Sequence, residues 1–230
     1  MAGTIAHLVI ADKVLNKFKD NIGFDTIAYY IGAIAPDSIK SKRDYTRNDM
    51  KYTHLREGIR DKDWLKTKNQ VEFQRRVKRF MGTYLINKDK VDFEFNLGYF
   101  IHLLTDEYNH KTIRQLVLKC ANKRCVTELD KEFYHMMVHE LDSMDQYLLR
   151  NNPNIPNILK QMFNYEEELN NEYISHDIIE RSFDWIRSEH LPSMYNKHPK
   201  YLSYEIINDF IREVTEIILE TLISEEINCR

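Results

Sequence analysis

A histidine and an aspartate stand four residues apart in an otherwise apolar stretch, His102 and Asp106 in Leu97-Gly98-Tyr99-Phe100-Ile101-His102-Leu103-Leu104-Thr105-Asp106. In a helix this spacing puts both side chains on one face, with His110 one step further along the stripe. A carboxylate on a buried face needs hydrogen-bond donors, a cation or a metal ion to offset its desolvation. Two readings follow, a core His–Asp pair that satisfies itself and a pair of metal ligands. Three more residues of suitable type precede them: His7 in the first apolar segment, Asp37 directly after Gly32-Ala33-Ile34-Ala35-Pro36, and His54 in Tyr52-Thr53-His54. Imidazole and carboxylate ligands suit zinc or another borderline divalent ion.

The elements that must position these residues read as helices. Phe93 to Leu104 is almost continuously aromatic and aliphatic with no proline, as a buried helix requires. Ile5, Leu8, Val9, Ala11, Val14, Leu15 and Phe18 repeat with a helical period, and Asp20-Asn21-Ile22-Gly23 supplies a stop. Asp25 is the expected N-cap of a second helix that ends before Pro36, since the residue preceding a proline disfavours the α region. Gly32 within that helix predicts a second backbone close by. Residues 38 to 52 are polar and irregular and read as a surface loop. Thr67 to Ile86 reads as an amphipathic helix carrying Val71, Phe73, Val77, Phe80 and Met81 inward. Further helices are expected over 128–149, 155–169, 174–186 and 204–223. No alternating strand pattern competes. The expectation is an all-α fold, one domain of roughly seven helices over residues 1–230.

The 230 residues carry 33 basic and 36 acidic side chains, a formal charge of −3, which gives no strong nucleic-acid signal. Cys120, Cys125 and Cys229 form no CxxC pair, so neither a disulfide framework nor a thiolate zinc site is implied. There is no signal-peptide pattern and no transmembrane run, and the expected location is cytoplasmic. Oligomeric state is not legible.

Taken together, His7, Asp37 after Pro36, His54, and His102 with Asp106 resemble, in order and type, the zinc-dependent phospholipase C family, whose fold is all-helical and which is related to single-strand-specific zinc nucleases. The resemblance covers the first half of the chain. It implies that Asp37, His54 and His102 ligate one metal ion, that His7 ligates a neighbouring one, and that Asp106 bridges the two. It implies a zinc-dependent phosphoesterase with two ions, acting through a metal-activated water on a small phosphoester or phospholipid, and gives Asp37 and Asp106 the catalytic positions. Soluble phosphoesters are expected to be preferred over bilayers. Secreted members of the family use an N-terminal tryptophan at the second metal, where this chain has Met1-Ala2-Gly3, and members with a trinuclear site carry a His-x-x-x-Glu pair on a later helix, where it has His135-x-x-x-His139 with Asp142. Histidines in an amphipathic helix more often face solvent, and His176, His190 and His198 read as exposed. The alternative function is a non-catalytic helical module with a structural metal site.

Overall fold

A computed structural model of the chain describes residues 2–17, 24–86 and 92–227. Among these there are nine helices of eight residues or more and no strand, so the all-helical class holds with more elements than expected. In chain order they are α1 (Thr4–Leu15), α2 (Thr26–Ser38), the short α3 (Arg47–Thr53), α4 (Thr67–Tyr84), α5 (Phe93–Lys111), α6 (Ile113–Asn122), α7 (Lys131–Asn151), α8 (Ile155–Met162), α9 (His176–Trp185), the single turn α10 (Leu191–Ser193) and α11 (Tyr204–Ser224). No helix among the described residues is long and apolar enough to cross a membrane.

The axis of the fold is α5, buried along nearly its whole length, with α1, α2, α4, α6 and α11 packed around it. Its closest neighbour is α2. Asp25 caps α2 as expected, accepting from the Ile27 and Ala28 amides at 3.0 and 2.9 Å, a contact worth about 1 kcal/mol. The close approach anticipated at Gly32 is also present: a Cβ there would lie 1.9 Å from the Phe95 carbonyl oxygen of α5.

Four expectations need correction. The second helix does not stop before Pro36 but runs through Pro36 and Asp37 to Ser38. A proline in a last turn forfeits one ladder bond, and the Pro36 carbonyl gains the Thr53 hydroxyl at 2.9 Å. Residues 38–52 are not simply a loop, because a 3-10 turn over Ile39–Ser41 leads into α3, whose start is a capping box between Thr46 and Asp49. Val71, assigned to the inward face of α4, is 63% exposed. The fourth is an added element, α6, whose buried Ile113, Val117 and Ala121 form only a narrow stripe. Phe18, the turn at Asp20-Asn21-Ile22-Gly23 and Cys229 lie outside the described residues.

Candidate metal centre

Each predicted ligand is carried by a different part of the helical frame. His7 sits in the first turns of α1, Asp37 in the last turn of α2, and His54 as the residue closing α3, while His102 and Asp106 lie one turn apart on α5. The tertiary structure brings all five together. All are buried, with 3% exposure or less.

The orientation of the two central imidazoles is set by the backbone. His102 Nδ1 lies 2.8 Å from the Ala33 carbonyl, and His54 Nδ1 lies 2.8 Å from the Met50 carbonyl. A carbonyl only accepts, so each Nδ1 carries the proton and each Nε2 presents a bare lone pair. These two Nε2 atoms face one another at 3.1 Å. Two lone pairs at that distance repel, unless something positive lies between or beside them.

Carboxylates complete the arrangement. His54 Nε2 is 3.5 Å from Asp37 Oδ1 and 3.4 Å from Asp106 Oδ2, and His102 Nε2 is 3.9 Å from the same Asp106 oxygen. Ligands about 2.1 Å from a tetrahedral zinc are separated by about 3.4 Å, and these four separations among His54, His102, Asp37 and Asp106, 3.1 to 3.9 Å, lie around that value. The other Asp106 oxygen, Oδ1, accepts from the Ala2 amide at 2.6 Å and lies 3.4 Å from His7 Nε2. One carboxylate thus faces three imidazoles, His54 and His102 with one oxygen and His7 with the other, a bridging disposition. The His7 ring stacks on His102 with centroids 3.7 Å apart, and apart from the 3.4 Å approach of Nε2 to Asp106 its nitrogens have no polar partner among the described residues.

The ionisation states suit cation binding. Burial opposes ionisation of Asp37, yet the Lys40 ammonium at 3.0 Å, together with His54, holds its carboxyl well below the usual carboxylate range. Burial, reinforced by the neighbouring His7, pushes His102 well below the ordinary histidine value, so it is neutral and able to ligate.

A cleft of about 870 Å³ lies beside the cluster. Ala2, which bonds Asp106, and Lys40, which pairs with Asp37, belong to its wall, whereas the five clustered residues lie behind them. Six basic side chains, Lys40, Arg47, Lys51, Arg56, Arg114 and Lys197, line it against the acidic Asp61, Asp142 and Glu189. Sequence reading missed Arg56, which is 5% exposed, sits over the Trp64 ring at 4.5 Å and donates to His110 Nε2 at 2.8 Å. No sequence signal marks it, because its burial depends on contacts between α3, α5 and the connection to α4.

The remaining histidines separate cleanly. His110 is buried, but its Nε2 is taken by Arg56. His135 is exposed, His139 Nε2 meets the His198 carbonyl at 3.1 Å, and Asp142 pairs with Lys197 at 2.5 Å, so the set on α7 does not join the cluster. His190, expected to be exposed, instead pairs with the buried Asp145 at 3.3 Å, its side chain 11% exposed. Among the described residues, the groups of three or more potential ligands with atoms within 4.8 Å of one another are His7, Asp37 and His102, and His54, His102 and Asp106. Comparison of the chain with family models, curated proteins and solved structures finds no match.

Proposed function

We propose that the chain is a divalent-metal phosphoester hydrolase, with zinc the ion its ligand types suit best. The observation that carries this reading is the pair of imidazole Nε2 atoms facing each other at 3.1 Å inside a ring of two carboxylates. Asp37, His54, His102 and one oxygen of Asp106 would hold one ion, and His7 with the other oxygen of Asp106 would hold part of a second. A pair of bound ions supplies an activated water and neutralises charge on a phosphoryl group.

The chain's own residues supply the rest. Lys40 screens Asp37 from the cleft side, and the excess of basic over acidic side chains on the cleft wall draws in an anionic substrate. Arg56, pinned by Trp64, His110 and Asp61, adds a fixed positive charge to the cleft wall. The depth of the cluster favours one competing reading, a closed structural metal site with no reaction.

Metal analysis of purified protein, followed by a panel of phosphodiesters, phosphomonoesters and phospholipid vesicles, separates the readings. About two equivalents of zinc and chelator-sensitive hydrolysis are expected. Bound metal with no phosphoester turned over supports the structural site instead, and absence of metal after reconstitution removes both.

A further inference from the structure

The mechanism above leaves unused a second carboxylate–imidazole pair, built into the cleft wall on the far side of the N-terminal end of α1. Asp145 on α7 is completely buried and accepts from the Ile5 and Ala6 amides at 3.1 and 3.0 Å, so it caps α1. The oxygen that serves Ile5 also receives His190 Nε2 at 3.3 Å. The cap does not need His190, since the two amides already satisfy it. The imidazole nevertheless has a constructed seat. It ends a π-helical turn, Ile186–His190, continuing α9, and its ring stacks on Trp185 with centroids 5.3 Å apart and planes 19° from parallel. Single π turns inside helices recur at functional sites, where they re-aim a side chain.

His190 and Trp185 both belong to the wall of the cleft. The metal-side wall is close, because the segment that bonds Asp106 through Ala2 is pressed against Asp145 at the next residue: a Cβ on Gly3 would lie 2.2 Å from Asp145 Oδ1. Ala2 and Gly3 therefore stand between the two carboxylates, one belonging to the candidate metal centre and one holding His190. With Nε2–H directed to Asp145, the tautomer is set, and Nδ1 makes no hydrogen bond among the described residues.

We propose that His190 is the general acid of the phosphoesterase, a catalytic residue oriented by Asp145, which acts as a positioning residue. The proposal rests on the phosphoester reading. In the step assigned to it, water forms the new bond to phosphorus while the bond to the leaving oxygen breaks, with its electron pair passing to that oxygen. In its imidazolium form His190 carries a second proton on Nδ1, and this proton moves to the leaving oxygen as the bond breaks, leaving the neutral Nε2–H form held by Asp145. The proton that water releases returns to the imidazole through solvent. The substrate class this favours is an ester with a poor alkyl leaving group, for which an unprotonated alkoxide is too basic to depart.

The test compares an alkyl phosphoester with its 4-nitrophenyl counterpart, whose leaving group needs no proton. In metal-reconstituted protein, His190→Gln should lower kcat on the alkyl ester about 100-fold and on the nitrophenyl ester less than about 3-fold, with metal content unchanged. Added imidazole should restore part of the alkyl-ester activity of His190→Ala. Independently of activity, ¹⁵N NMR of the wild-type imidazole should show Nε2 protonated in the neutral form. Equal losses on both esters, no loss on either, or a neutral form protonated at Nδ1 would each overturn the assignment. A wild type that binds metal and cleaves the nitrophenyl ester while His190→Gln behaves identically on both esters refutes the general acid alone. A wild type that cleaves no phosphoester refutes the phosphoester reading and this proposal with it.

Discussion

Gly98 on α5 faces Gly32 on α2 so closely that a Cβ on Gly98 would lie 3.0 Å from the Gly32 carbonyl carbon and 2.0 Å from the Tyr29 carbonyl oxygen. One turn beyond Gly98, His102 reaches the carbonyl of Ala33, the residue after Gly32. The glycine contact therefore sets the helix separation that directs the His102 lone pair. Gly98→Ala or Gly32→Ala should destabilise the protein by about 3 kcal/mol or prevent folding, because the clash is with backbone and cannot be relieved by a rotamer change. Urea unfolding measures this, and a loss below about 1 kcal/mol at both positions would show that the helices separate freely.

Replacing Asp106 by Asn keeps the side chain's size but removes the charge that faces His7 with one oxygen and His54 with the other. Asp106→Asn and His102→Ala should each lower bound metal and abolish phosphoester hydrolysis. Chelator should lower the melting temperature of the wild type more than that of either variant, since an ion held at 100 times its Kd contributes about 2.7 kcal/mol to the native state alone. A wild-type metal content in Asp106→Asn would return the cluster to a self-satisfied core.

In chelator-treated protein, stability should fall as the pH drops below about 6.5. Burial and the neighbouring His7 push His102 well below its ordinary value, and burial and the Arg56 charge do the same to His110. Both stay neutral in the fold while the unfolded chain takes up protons, so the unfolded state binds more protons and gains as the pH falls. Each such histidine contributes up to about 1.4 kcal/mol per pH unit, until the pH reaches its folded value. Urea melts at pH 7.5, 6.5 and 5.5 should show this slope, reduced in His110→Gln. An unchanged slope in that variant would mean that His110 titrates normally.

The histidines of α7 provide the control. His135 is exposed and His139 meets a backbone carbonyl, so replacing both by Gln should leave metal content unchanged. Loss of a full equivalent of metal would reveal a further site on α7.

The sequence by itself determined that the chain is helical and where its centre lies. The unbroken apolar run around His102, the Asp25 cap and the glycine at position 32 each express a local rule, and local rules are readable one segment at a time. His7, Asp37, His54, His102 and Asp106 could be picked out by type as candidate ligands, imidazoles and carboxylates, but their meeting in one cluster could not. Other outcomes were settled only by packing. Helix α2 runs through Pro36 to Ser38, and the Thr53 hydroxyl of α3 takes up the Pro36 carbonyl. The capping box at Thr46 and Asp49 is different, a local signal masked by the polar character of 38–52. His190 could not be told from a surface histidine, since its partner Asp145 lies 45 residues away on α7. Arg56 had no signal at all. Which nitrogen of each imidazole is protonated, and toward what the other points, depends on carbonyls of neighbouring helices, and a sequence carries no distance between one helix and the next.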